Sequence, residues 1–470
     1  MISQALRVTL IVLEVVVLFN LLIIVHELGH FLAARWRGLV IEKFGVWFGK
    51  PIWKKTINGV QYSLGSLPFG GFVALPQLAP MDIIEGETDV DRAQLPRVSA
   101  LDKIIVAIAG PLFSLLLALF FACIVWGVGH PVNESDTTTV IGYTEPDSPA
   151  AKAGLLAGDK IIEVNGKPVS RFSGMNDSVI WNIVSSEGDT IPFKVERNGA
   201  VREFNVVPYI AKTSGWRRKG VRQVLILPAQ TPIIDEVQTG TPAAAAGLAK
   251  GDIVVGYNTT RIFHPIALAD YIEKHGQEPL TLQVLRDGKL LTPRLQPALI
   301  GKEKTPRIGI RWDTAGRMAI SHPSPVEQVY NSITSTLNTI GAVASPKSDI
   351  KLQHLSGPVG IGRIYYLLFQ SERGWQLALW FSVILNVNLA ILNMLPIPVL
   401  DGGHIVLSLI EAIRRKPVNI KILEFVQTGC AVLIIGYMAY VSFFDIGDLF
   451  GRDPESAEPT PAAATATPGR

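Results

Sequence analysis

Three ionisable residues stand together in an otherwise apolar run, LLIIVHELGHFLAARW at residues 21–36. A charge at the centre of a bilayer costs on the order of 3 kcal/mol on insertion scales, so such a cluster needs a purpose. His26 and His30 are spaced i, i+4, which on a helix puts both imidazoles on one face, one turn apart. Two neutral imidazoles so placed can hold Zn²⁺, with the adjacent Glu27 as general base on a water. Binding a metal also turns an expensive buried cluster into a favourable one. A catalytic zinc commonly takes a third protein ligand and keeps one position open. Candidates at membrane depth are few. Asp401 in VLDGG (399–403) is the first choice and His404, three residues on, the alternative. The glycines after Asp401 let backbone come close to a metal.

A spanning helix needs about 20 mainly apolar residues, and four regions offer that: 1–34, 101–130, 375–413 and 422–444. The first, with its length and with Glu14 and Asn20 inside it, reads as a retained anchor rather than a cleaved leader. Glu14 receives no role beyond reaching for headgroup water. The third region is broken by NVNLAILNMLPIPVLDGG (386–403), whose asparagines and prolines are tolerated at depth only under cover of protein or water. Basic residues follow the first span (Arg35, Arg37, Lys43, Lys50, Lys54, Lys55) and fill the 414–421 loop. They place region 35–100 and that loop in the cytoplasm, with both termini and the long middle region on the far side. The last region, 445–470, has an acidic balance and ends in a low-complexity Pro/Ala/Thr tail that is expected to be disordered.

The 470-residue chain is 18% charged with a net charge of only +3, which argues against nucleic acid as a partner. Its mean hydropathy of +0.31 comes from the spans alone. Both cysteines, Cys123 and Cys430, fall in apolar segments and read as buried small hydrophobes. Between the second and third spans SPAAKAGLLAGD (148–159) recurs as TPAAAAGLAKGD (241–252). Ser148 or Thr241 can cap a short helix begun by Pro149 or Pro242, and Gly154 or Gly247 can close it. Strands ending in Asn-Gly or Asp-Gly turns follow in each copy.

This repeat resembles the PDZ domain in its circularly permuted form, with one copy at 135–229 and another at 230–314. The resemblance implies peptide binding by strand addition. It makes Ile308, Gly309 and Ile310 a carboxylate loop, for which QVLILP (223–228) in the first copy lacks the glycine. Rigid spacing over the membrane face is the other reading of the pair. After it, region 315–374 carries a helical stripe of Val326, Val329, Ile333, Leu337 and Ile340, to lie on the membrane surface or pack under the repeats.

HExxH in a first span with NMLPIPVLDGG in a third resembles the site-2 protease family of intramembrane zinc metalloproteases. The tandem repeat narrows the likeness to its bacterial RseP-type group. The implied fold is a multi-domain membrane protein: a four-helix transmembrane metalloprotease core, a membrane-re-entrant β-loop and tandem circularly permuted PDZ (α+β) domains. The implied site is one Zn²⁺ per chain on His26, His30 and Asp401, with Glu27 catalytic. In YSLGSLPFGGFVALP (62–76) the likeness makes Gly70, Gly71 and Phe72 part of the strand that meets substrate. Asn388 and Asn393 would hold the unwound substrate backbone, with helix–helix hydrogen bonding as their alternative role. Where the family usually has Asn after GP, this chain has Ser114, which leaves that contact unassigned. The implied partners are the lipid bilayer and single-pass membrane substrates: an anti-sigma factor after a first cut, and remnant signal peptides. The implied place is the bacterial inner membrane. A zinc-dependent membrane scaffold or transporter is the rival; it needs ligands but no base beside them.

Overall fold

In lipid a chain must satisfy its own N–H and C=O groups, so uninterrupted Leu/Ile/Val runs become helices. The computed structural model describes residues 2–78, 95–96, 98–213, 217–300, 305–314, 316–371, 373–416, 418 and 420–450. The Pro/Ala/Thr tail lies outside them. Among the described residues four helices are long and apolar enough to cross a membrane: Gln4–Arg37, Ala100–Val128, Gly374–Asn393 and Lys421–Asp448. The chain divides into two compact units.

The first unit comprises Met1–His130, His322–Thr339 and Leu355–Phe450. It opens with α1 (Ile2–Arg37), then strands β1 (Lys43–Phe48), β2 (Trp53–Ile57), β3 (Val60–Leu64) and β4 (Leu67–Ala74). Asn58 and Gly59 turn β2 into β3 with φ of 50° and 82°, the backbone an Asn-Gly hairpin requires. The sheet order is β2-β3-β1-β4, with β4 antiparallel to β1 at one end. α2 (Ala100–Val128) follows, capped by the Ser99 hydroxyl, which accepts from the Asp102 N–H. Asp102 also pairs with Arg37 at 2.5 Å, joining the start of α2 to the end of α1. The two helices meet through glycine. A Cβ on Gly29 would stand 2.4 Å from the Ala109 carbonyl, and one on Gly110 would overlap the His30 ring.

Five helices complete this unit: α3 (Pro325–Ala344, of which residues to Thr339 belong here), α4 (Pro358–Gln370), α5 (Gly374–Asn393), α6 (Asp401–Arg414) and α7 (Ile420–Phe450). The expected third span is thus two helices, α5 and α6, because Pro396 and Pro398 interrupt the backbone between them. The stripe expected on α3 is divided: Val329 and Ile333 pack on Val383 and Val387, whereas Val326 and Leu337 are exposed. The buried row of α3 is polar instead, Gln328, Ser332 and Thr336. Gln328 reaches the Ala122 carbonyl at 2.9 Å, and Thr336 Oγ1 donates to Asn388 Oδ1. Polar side chains therefore point into the bundle, where backbone partners exist, beside Val329 and Ile333, while Val326 and Leu337 point outward. Asp445, grouped with the acidic tail by its place in the sequence, lies buried in α7 and accepts from the Gly357 and Gly360 N–H groups at 2.9 Å. Cys123 is exposed on the outward face of α2 and Cys430 is half-buried, so neither is the core residue expected.

The second unit comprises Pro131–Ser321 with Ile340–His354. In each repeat a short helix (Pro149–Ala153 or Pro242–Ala245) precedes a strand (Lys160–Val164 or Ile253–Tyr257). A second helix follows (Val179–Val184 or Ile266–His275), then an antiparallel partner strand (Ile191–Arg197 or Leu280–Arg286). Each repeat has its own apolar core, around Phe172, Ile191 and Phe193 in the first and Leu268, Leu280 and Leu282 in the second. Ser148 caps its helix as expected, accepting from Ala151 N–H at 3.1 Å. Thr241 does not, because its hydroxyl donates to the Gln238 carbonyl at 2.6 Å.

Candidate active site

The cavity in the first unit is built by α1, β4, α5 and the start of α6. α1 presents His26 and His30 on one face, and α6 begins with Asp401. Glycine makes that beginning possible: a Cβ on Gly402 would stand 2.3 Å from the Met394 carbonyl, and one on Gly403 2.1 Å from that of Ile397. The VLDGG glycines therefore let α6 press against the interrupted stretch, which delivers Asp401 to α1. His26 Nε2 lies 3.3 Å from Asp401 Oδ2, and His30 Nε2 lies 3.3 Å from Asp401 Oδ1. The two Nε2 atoms are themselves 3.3 Å apart.

Two imidazole nitrogens and the two oxygens of one carboxylate thus converge, and one ligand-type atom from each residue lies within 4.8 Å of the others. His30 Nδ1 donates to the Val106 carbonyl at 2.8 Å, so in the neutral ring Nε2 carries the lone pair, and it faces the carboxylate. His26 Nδ1 shares a hydrogen bond with Ser114 Oγ at 2.9 Å. Asp401 Oδ2 is buried and makes no hydrogen bond. Lone pairs facing a carboxylate in a buried site repel unless something positive stands between them. A tetrahedral ion bound at about 2.0–2.1 Å spaces its ligand atoms by roughly 3.3–3.4 Å. The donor set, its spacing and the orphaned oxygen fit zinc.

The cavity, of about 220 Å³, is lined also by Glu27, Gly71, Phe72, Asn393 and His404. Glu27 accepts a hydrogen bond from the Val73 backbone, and a Cβ on Gly71 would stand 3.3 Å from its Cγ. Asn393 places its amide nitrogen 3.2 Å from His26 Nε2. His404, the alternative ligand, lines the cavity but stands outside the cluster of three, and its Nδ1 has no partner. Asn388 is not among the lining residues, its oxygen being engaged by Thr336. Gly70 is packed against the Phe48 ring rather than the cavity. In the second unit Ile308, Gly309 and Ile310 line a separate cavity of about 320 Å³ with Leu268, Ile272 and Trp312. Sequence reasoning left Ser114 unassigned and did not find the Val106 carbonyl or the Val73 backbone. Backbone partners leave no mark in residue type; the hydroxyl of Ser114 in an apolar helix was the one available signal.

A family model described as Peptidase family M50 matches residues 14–436. The chain belongs to peptidase family M50. As an M50 member it is an enzyme, an intramembrane metalloprotease of the site-2 type, and the scaffold or transporter reading falls away. Relatives of this M50 chain include Regulator of sigma E protease from Salmonella typhi, 27% identical over 92% of this chain and 98% of that one. A Neisseria meningitidis protein classed provisionally as a zinc metalloprotease is 29% identical, again over 92% of this chain and 98% of its own length. Among solved structures, the PDZ domain of an SdrC-like protein from Listeria monocytogenes is 21% identical. It covers 18% of this chain and 90% of its own, with a TM-score of 0.17.

Proposed function

We propose that this protease cuts unwound transmembrane segments of single-pass membrane proteins, with one zinc ion held by His26, His30 and Asp401 and Glu27 as general base. The convergence of His26 Nε2, His30 Nε2 and the Asp401 carboxylate at 3.3 Å separations, with Asp401 Oδ2 making no hydrogen bond, is the observation that carries this reading. When bound there, zinc supplies the Lewis acidity that polarises a peptide carbonyl and makes water nucleophilic at neutral pH. Glu27 takes a proton from that water and hands it to the departing backbone nitrogen. Ser114 and Val106 hold the two imidazoles with their Nε2 atoms turned inward.

A helical substrate hides its carbonyls, so it is held extended before cutting. β4 is the strand for this, as part of a re-entrant loop. It ends the sheet order, and its Gly71 and Phe72 line the cavity beside Glu27. Asn393 binds the exposed substrate backbone, while Asn388 serves helix packing. The two repeats act as tandem, circularly permuted PDZ domains and as a size filter against untrimmed substrates. The cavity beside Gly309 in the second, lined by Leu268, Ile272 and Trp312 together with Gln238 and Arg307, supports a site for a terminal carboxylate. The basic loops support a bacterial inner-membrane protein with its repeats and termini on the periplasmic side. Substrates are an anti-sigma factor after a first cut and remnant signal peptides, in keeping with the name of the Salmonella relative.

Glu27→Gln in the full chain, reconstituted with a single-span substrate, tests the assignment. Cleavage is expected to fall by at least about 100-fold with zinc content unchanged. Cleavage at the wild-type rate would refute it.

A further inference from the structure

The two repeats build the same loop and leave it in different states. In the second, the Ala243 N–H donates to the Ile308 carbonyl and the Gln238 N–H to that of Gly309, whose φ is 81°. In the first, the Ala150 N–H donates to the Val224 carbonyl and the Glu145 N–H to that of Leu225. Val224 and Leu225 therefore stand where Ile308 and Gly309 stand, and Leu225 takes φ of 58°, in the left-handed region that favours glycine. The missing glycine has not removed the loop.

Beside the second loop lies the open cavity, walled by Leu268, Ile272 and Glu273 of the helix Ile266–His275. Just before the first, Arg222 meets the chain's own connector. Asp349 Oδ2 is 2.7 Å from Arg222 Nε, and Arg222 is anchored to Ser186 Oγ at 3.3 Å and to the Gly188 carbonyl at 3.1 Å. Those anchors sit just past the end of Val179–Val184, the first repeat's counterpart of the groove helix. The connector is held at both ends. Ser345 Oγ donates to Glu187 at 2.5 Å, His354 Nε2 donates to the Lys219 carbonyl at 2.8 Å, and Arg218 donates to the Gln353 carbonyl at 2.6 Å. The Arg222 side chain is only 7% exposed and that of Asp349 22%, which sets this pair apart from a solvated surface bridge.

We propose that the first repeat is a carboxylate-recognition site occupied by the chain's own residues 345–354, with Asp349 in the place of a peptide's terminal carboxylate. A peptide ending in a free carboxylate competes with Asp349 for Arg222 and releases the connector, which runs in the chain from α3 to α4. The site depends on neither the metal ligands nor Glu27, so its failure would be distinct from theirs.

Hydrogen exchange on the full-length protein in lipid nanodiscs, wild type against Asp349→Asn, tests it. Amides of 345–354 and 217–224 are expected to exchange at least tenfold faster in the variant, with Leu280–Arg286 in the second repeat unchanged. Unchanged exchange at 345–354 would overturn the proposal. So would general loss of protection reaching Leu280–Arg286, since Asp349 would then hold the fold rather than a latch. A hexapeptide with an apolar, free C-terminal residue is expected to protect 180–188 in Asp349→Asn, and its amidated form is not. Equal protection in the wild type, or by the amidated form, would overturn it too.

Discussion

Asp159 and Asp252, in the two repeats, are each 1% exposed, and both are fully answered. Arg197 meets Asp159 at 2.6 Å through two nitrogens, and the Leu156 N–H adds a third bond. Arg286 and the Ala249 N–H do the same for Asp252. Both arginines also donate to the carbonyl of the helix-closing glycine, Gly154 or Gly247. Asp401, in the helical unit, is 16% exposed and faces two imidazole nitrogens with one buried oxygen that makes no hydrogen bond. A buried carboxylate whose two oxygens are both met is holding a fold together. One that is left short, opposite other lone pairs, is suited to hold a cation. The contrast separates structural from chemical acidic residues without reference to their sequence surroundings.

The contrast breaks most visibly at Asp401. Asp401→Asn keeps the side chain's shape and removes the charge of the proposed ligand, so cleavage is expected to fall to the background rate while helix content stays at the wild-type level by circular dichroism. Next in size are the arginines. Arg197→Ala strands a buried charge and is expected to destabilise the first repeat by about 3 kcal/mol. That reads as roughly 100-fold faster amide exchange in Ile191–Phe193. Arg286→Ala should do less, because Arg286 is 36% exposed against 17% for Arg197.

The acid side follows from the same pair. Burial pushes the Asp252 carboxyl up, but the Arg286 and Ala249 hydrogen bonds with the Arg286 charge outweigh it and hold the pKa below the usual carboxylate value. The folded pKa is lower than the unfolded one, so its contribution is complete above about pH 4. It is lost as pH falls through the folded value. Exchange protection in Leu280–Arg286 should be flat from neutral pH to about pH 5, after allowing for intrinsic rates, and drop in stronger acid. The smallest effect is expected at the ring support: Ser114→Ala should weaken zinc affinity by about tenfold, read by competition with a chelator.

Much of this was legible beforehand, and for physical reasons. The i, i+4 histidines and the lone Asp401 stood out because polar groups in lipid-grade sequence are costly, and the repeat stood out because its offset is constant. Less legible was whatever depends on which faces meet. Nothing in the spacing of Asn388 and Asn393 says that Thr336 takes one and the cavity the other. The stripe on α3 offered either a membrane-surface face or one packed under the repeats, and its spacing did not say that Gln328, Ser332 and Thr336 are the buried side of the helix. Arg197 and Arg286 lay unread inside KVERNG and LRDG, because a paired arginine and a solvated one look alike in a string of letters.

Zinc-edge X-ray absorption on the reconstituted wild-type protein tests the central claim most directly. Two imidazole nitrogens and oxygen at about 2.0–2.1 Å are the expected signal, lost or reduced in Asp401→Asn. A sulfur-ligated zinc, or a signal identical in wild type and Asp401→Asn, would contradict it.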